Sequence, residues 1–299
     1  AYRFDNRRED VIKTGEAGLR SKFDTGPVSH TLTASASYYE LKERNAYAMD
    51  FFNTFPTNIY NPVDVALPAI SGTAFTGGDL ANPGPLSTVR MTSMALGDTA
   101  SMLDGKLLLT GGLRYQRLSN TSYDYISSLN GEVYAKSRTS PVLGAVYKLR
   151  RDVSLYANYI EGLSKGESIT GNYTNTGQTL APFVSKQKEV GVKYDSGKLG
   201  GGIALFSTAK PGKKTETNAD GSQTITANGE DEHKGIELTT YGEIARGVRV
   251  LGGVTFMDAK QKEKTSEDLE GKRVIGVPSR QANVGVEWDV PYALSLIHI

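Results

Sequence analysis

Cysteine is absent from the 299 residues, so the chain has no disulfide framework, no thiolate metal site and no cysteine nucleophile. Long apolar runs are missing too. No stretch of about 18 apolar residues occurs, which excludes a transmembrane helix but leaves a membrane barrel open, because barrel strands are apolar on one face only. Neither sign of charge is in excess: 34 basic residues stand against 33 acidic ones, net +1, and no footprint of nucleic-acid binding results. Histidine is confined to His30, His233 and His298. With no Gly-x-Ser-x-Gly elbow and no HExxH pair, the parts of nucleophilic or zinc hydrolysis are lacking, and the chain is not expected to be an enzyme. Glycine-rich pieces at 77–84, 110–112 and 199–202 are followed by neither a helix nor Lys-Ser/Thr, so they are not phosphate loops. The acidic segment 263–271 lacks EF-hand spacing, and no metal site is expected. The chain opens with neither Met nor a signal peptide, so an export signal is expected upstream of Ala1.

Tyrosine and alternation are plentiful. There are 16 Tyr against 9 Phe and 1 Trp, and an apolar ring with a wet hydroxyl suits both interfacial girdles and soluble β-proteins. Residues 153–194 show one unit entire: strand, long polar loop, strand. Val153, Leu155, Ala157 and Tyr159 alternate with Ser154, Tyr156 and Asn158; after the loop, Val190, Val192 and Tyr194 alternate with Glu189, Gly191 and Lys193. A period of two puts one greasy and one wet side on each strand. The same pattern predicts strands over 11–23, 30–39, 87–98, 106–118, 140–149, 153–160, the segment ending at Tyr194, 199–210, 233–244, 247–259 and 279–290. That is roughly eleven strands of about the 9–11 residues a tilted membrane-spanning strand needs.

Connections alternate between short and long. Short turns fall at 24–28, 150–152, 195–198 and 245–247, while long polar segments fall at 42–87, after residue 118, between 160 and 186, at 211–232 and after 259. Asn130-Gly131 and Asp220-Gly221 are turn signals inside the long segments. Outer-membrane barrels sort their loops in this way, and an open sheet edge in lipid is costly. The fold class predicted is all-β: an antiparallel transmembrane β-barrel. Barrels of this class have even strand numbers, so an odd count predicts an incomplete barrel. Residues 1–293 are expected to form one barrel domain, with 294–299 a non-native tail, since LSLIHI breaks the alternation.

Six stretches resemble the TonB-dependent outer-membrane receptors, specifically the ferric-siderophore group: NIYNPV (58–63), LLLTGGLRYQ (107–116), SLYANYIEGLSKG (154–166), LAPFVSKQKEVGVKYD (180–195), KGIELTTYGEI (234–244) and RVIGVPSRQANVGVEWDVP (273–291). They run in the family's order and spacing. The resemblance implies a barrel of about 22 strands around a plug, of which this chain covers roughly eleven to twelve, with the plug domain and the TonB-coupling segment in a missing N-terminal region. It implies a ferric siderophore as transported ligand, no covalently bound cofactor, and the TonB complex and outer-membrane lipid as partners. Uptake across the bacterial outer membrane would be driven by proton-motive force.

The resemblance sets the long segment 42–87 where such receptors grip ligand, so Tyr47, Phe51, Phe52, Phe55 and Tyr60 are candidate ligand contacts; they could equally pack the loop. Arg114, Glu189, Lys193, Glu237, Arg249 and Glu287 are expected to face the lumen, where charge meets water or plug, because Arg or Lys facing lipid at the midplane costs about 2–4 kcal/mol. Two other readings stay open: a passive porin or adhesin-type barrel without a plug, and an outer-membrane hydrolase, which would need a Ser-His pair on the outer rim.

Overall fold

The computed structural model describes residues 1–124, 130–262 and 269–290. These residues contain no α-helix. They build a twelve-stranded sheet from β1 (Tyr2–Thr25), β2 (Val28–Thr54), β3 (Phe75–Gly77), β4 (Gly84–Met102), β5 (Leu107–Tyr123), β6 (Asn130–Lys148), β7 (Val153–Ser164), β8 (Phe183–Asp195), β9 (Leu199–Thr217), β10 (Gln223–Ala245), β11 (Val248–Lys262) and β12 (Arg280–Trp288). The order follows the chain from β1 to β12, with β3 a short side branch on β2. Every pairing whose register is defined is antiparallel. The eleven strands expected from alternation are all present. The twelfth, β3, lies inside a long segment where alternation is too brief to see.

Strand ends differ from expectation chiefly at one end of the sheet; at the other, β4 runs on to Met102, four residues past the expected end at 98. The short turns fall where expected; at the first, Gly26 takes φ +61, which a glycine adopts without strain. At the other end the strands run far past a membrane-spanning length. β2 continues to Thr54, so residues 42–54 are strand and not loop. β9 and β10 continue to Thr217 and from Gln223, which leaves Asp220-Gly221 at the tip of a protruding hairpin. Asn130-Gly131 does not make the expected turn; both residues already belong to β6. Cross-strand hydrogen bonding satisfies the backbone of these polar stretches, which their composition alone does not reveal. Residues 263–268 of the acidic segment and the whole tail 294–299 lie outside the described residues.

Register converts alternation into two continuous faces. One face carries the rows Val190–Leu205–Ile236–Phe256, Val192–Ile203–Leu238–Val254 and Tyr194–Gly201–Thr240–Gly252–Val284 across neighbouring strands. These side chains are bare of protein cover: Val190 is 51 % exposed, Leu113 58 %, Trp288 60 % and Val284 76 %. Leu107 is half-buried. An apolar face turned outward, with few buried hydrophobics among the described residues, is what lipid contact requires. A soluble sandwich would bury the same rows.

By contact the chain divides into two compact units. One comprises Ala1–Gly18, Ser35–Met94 and Gln116–Ser137, the far ends of β1, β2, β4, β5 and β6 with the segment between β2 and β4. The other comprises Leu19–Ala34, Ala95–Tyr115 and Arg138–Ile299, which holds the short turns and the outward apolar rows.

Candidate functional site

In the first unit the segment 55–83 is strapped to the extended strands by polar groups. Arg3 donates to the Pro68 carbonyl at 2.7 Å, Arg7 to that of Ala81 at 2.8 Å, and Arg44 to that of Pro83 at 2.7 Å. Asn53 donates to Ala69 O at 2.8 Å. Asp50 is the hub: its side chain is fully buried and accepts hydrogen bonds from the backbone N–H groups of Ser71 (2.7 Å), Phe52 (3.1 Å) and Asn53 (3.1 Å). Those N–H groups, that of Ser71 first, hold the Asp50 carboxyl below the usual aspartate range against the opposing effect of burial. Along the strands, Arg90 binds Glu40 at 2.6 Å, and Glu43 takes both Arg8 and Ser87.

The aromatic candidates sit on this frame, and three of them are not where the sequence put them. Tyr47, Phe51 and Phe52 belong to β2, while Phe55 and Tyr60 follow it. Phe51 packs between Tyr2 (centroids 4.8 Å) and Phe75 (5.9 Å, edge-on). The Tyr47 ring covers Gly77 so closely that a Cβ there would lie 2.3 Å from it. Phe55 is tied through its backbone to Ala1. Phe52, 69 % exposed, and Tyr60, 93 % exposed, present bare rings. The structure therefore joins Phe51 to Tyr2 and Phe75, two residues that sequence reasoning missed. Phe75 was hidden because only the β2–β3 pairing brings it beside Phe51.

In the second unit the charged candidates alternate with the outward apolar rows and occupy the opposite face. Tyr156 donates to Glu189 at 2.6 Å, Gln187 donates to the same carboxylate at 3.1 Å, and the Lys193 ammonium lies 4.8 Å from the Tyr156 ring centroid. Glu237 and Tyr241 help line the same concavity, of ≈ 570 Å³. Glycine makes room for the rings: a Cβ on Gly191 would meet Tyr156 at 2.6 Å, and one on Gly200 would meet Tyr241 at 2.4 Å. Arg249 bridges Glu287 at 2.8 Å and Asp289 at 2.9 Å. Arg114 alternates with Leu113 and Tyr115 on β5.

Two further arrangements were not legible in the sequence. The segment 165–182 folds onto the β9–β10 hairpin around a small core of Ile169, Leu180, Phe183 and Ile225. The Asn175 amide there exchanges hydrogen bonds with the Ile225 backbone at 2.7 and 3.1 Å, standing in for a neighbouring strand. Near the first short turn, His30 contacts Thr25 at 2.7 Å and Asp98 at 2.6 Å and stacks on Phe23. This set ties β1, β2 and β4 together at the short-turn end, away from the outer rim where a hydrolase was imagined.

An antiparallel meander with one exposed apolar face, charged residues on the opposite face, short turns at one end and a long β9–β10 hairpin at the other is the pattern of an outer-membrane barrel wall. The chain belongs to the TonB-dependent receptor-like β-barrel family, whose model matches residues 1–296. Members of that family are transport receptors of the bacterial outer membrane, not enzymes. The chain is 34 % identical over 287 residues to the ferrichrome receptor FcuA of Yersinia enterocolitica, covering 93 % of this chain and 36 % of that protein. It is 27 % identical over 281 residues to the ferrioxamine B receptor of Salmonella typhimurium, covering 92 % and 37 %. Among solved structures it resembles BauA, the ferric preacinetobactin receptor of Acinetobacter baumannii, with a TM-score of 0.78, 31 % identity, and coverage of 97 % of this chain and 42 % of that one. The chain thus spans little more than a third of the length of these curated relatives.

Proposed function

We propose that residues 1–293 form part of the barrel wall of a receptor that takes up a ferric siderophore across the outer membrane. The observation that carries this is the family match along almost the whole chain, together with relatives named for ferrichrome and ferrioxamine B. Import would draw on proton-motive force through TonB, acting on a region outside this chain. The metal chelate is cargo.

Within that reading the exposed rings of Phe52 and Tyr60 are the ligand contacts of choice, since rings at the end of protruding strands can grip a chelate without committing a charge. Phe51, with Tyr2 and Phe75, and Tyr47 on Gly77 are supports that fix the strand from which Phe52 projects. Phe55 anchors the start of the strap. The inner-face charges Arg114, Glu189, Lys193, Glu237, Arg249 and Glu287 serve a polar body filling the bore, pairing with it across water.

Growth under iron starvation tests the proposal. A strain lacking the gene, supplied with single ferric siderophores, is expected to lose growth on one chelate class and regain it on complementation. Unchanged uptake of every siderophore after deletion overturns it. Phe52→Ala with Tyr60→Ala is expected to weaken chelate binding about tenfold or more, as loss of aromatic anchors does at binding sites. Unaltered affinity removes these two residues from the site.

A further inference from the structure

The strap of the first unit begins with an arc whose larger side chains are apolar and bare. Residues 56–67, PTNIYNPVDVAL, leave β2 after Phe55 and return at Pro68. Both feet are held. Phe55 exchanges backbone hydrogen bonds with Ala1 at 2.8 and 2.9 Å, and Arg3 and Asn53 donate to the carbonyls of Pro68 and Ala69. Every residue of the arc is exposed, with Ile59 at 82 %, Val63 at 63 % and Leu67 at 59 %. Pro56, Pro62 and Pro68 fix φ at six-residue intervals, so the arc is not free to collapse over its own side chains.

Exposed apolar runs mark binding surfaces, and the chemistry of this one says what covers it. The arc holds one ionic group, Asp64, and no cation. The guanidiniums of the frame are engaged: Arg3 with Asp5 and Pro68, Arg7 with Leu80 and Ala81, Arg44 with Pro83 and Asn82. A polyanion therefore finds no counter-charge on the arc. Rings such as Phe52 and Tyr60 stack on a flat chelate or meet a cation at their faces. Ile59, Val63 and Leu67 have no such face and gain only by taking alkyl surface out of water. They recur every four residues. At about 3.3–3.6 Å per residue an extended chain from Ile59 to Leu67 spans up to about 28 Å, longer than a medium-length acyl chain. Continuity decides the occupant. Tyr60 lies inside the arc, between Ile59 and Val63, so a ligand that reaches the ring reaches the aliphatic side chains too.

We infer that the chelate carried by this receptor bears an alkyl tail. Its iron-binding head is gripped at Phe52 and Tyr60, and its tail lies along Ile59, Val63 and Leu67. The cargo class is an acylated ferric siderophore. The prolines keep the arc extended before the tail arrives, so little chain entropy is lost on binding. This rests on the transport reading and narrows it to one chemical class.

The test compares ferrioxamine B carrying an acetyl or a dodecanoyl group on its terminal amine, so that charge is matched and only chain length differs. Binding is measured on the whole receptor in lipid nanodiscs, with binding to empty discs subtracted. Each buried methylene contributes about fourfold, so the dodecanoyl chelate is expected to bind at least about tenfold more tightly. The triple variant Ile59→Ser, Val63→Ser, Leu67→Ser is expected to lose that advantage and to keep the wild-type affinity for the acetyl chelate. Since the 299 residues hold no cysteine, Ile59→Cys places one thiol on the arc. On whole cells an impermeant maleimide is expected to label it, and the dodecanoyl chelate to block labelling where the acetyl one does not. Equal affinity for the two chelates, an undiminished advantage in the Ser variant, or an Ile59→Cys receptor closed to maleimide without ligand each overturns the inference. Iron-starved growth on unacylated siderophores reports on transport separately, so growth without any acyl preference overturns this inference alone.

Discussion

At the scale of single residues, the least replaceable groups are a buried carboxylate and a few glycines. Asp50 sits with no exposed surface, and its oxygens are met by backbone N–H groups. Its folded-state pKa is lowered, so the stabilisation is complete above the ordinary aspartate value of about 3.9 and is lost as pH falls through the folded value. Protection factors of the Phe52, Asn53 and Ser71 amides, measured against the intrinsic exchange rate at each pH, are therefore expected to be high at neutral pH and to fall under acid. In Asp50→Asn that pH dependence should flatten and the protection at neutral pH should drop; protection equal to wild type would show that the strap does not need the charge. Gly191 offers a different test. An added Cβ would lie 2.5 Å from the Ile203 carbonyl and 2.6 Å from the Tyr156 ring, whereas at Gly111 nothing lies within 4 Å. Gly191→Ala is expected to cost about 1–3 kcal/mol and Gly111→Ala no more than about 0.5 kcal/mol, compared by urea unfolding in micelles.

At the scale of elements, what distinguishes this sheet is that its strands run past a membrane-spanning length at one end and that two connecting segments, 55–83 and 165–182, are folded onto the strands. The segment 165–182 owes its shape to four buried side chains and to Asn175 imitating a strand edge. Phe183→Ala removes the largest of the four, a truncation that costs about 3–5 kcal/mol in a packed core. Because the cluster is a satellite of the sheet, the effect should stay local. Limited proteolysis is expected to open cleavage within 165–182 while the β-sheet circular dichroism is unchanged. Loss of sheet signal together with cleavage would make the cluster part of the cooperative fold instead.

At the scale of the molecule, the strand order ends at β1 and β12, and neither has a second neighbour among the described residues. Unpaired edges invite pairing with other chains, and in lipid each unpaired backbone group costs several kcal/mol. The 299-residue chain expressed alone is therefore expected to aggregate on refolding into detergent, as seen by size exclusion with light scattering. A monomeric, protease-resistant species would contradict this.

What the sequence determined by itself was sidedness and order. Alternation such as Val190, Val192 and Tyr194 against Glu189, Gly191 and Lys193 is a property of neighbours in the chain, with a period the backbone imposes, so strand positions and the sorting of short and long connections could be read directly. Tertiary structure alone decided where strands stop and what stands beside what. That Tyr47 and Phe51 lie on a strand, that Phe75 meets Phe51, and that Asp50 gathers the Ser71 amide all follow from register between segments far apart in sequence. The physical reason is that register is set by hydrogen bonds and packing between strands, which no local period encodes.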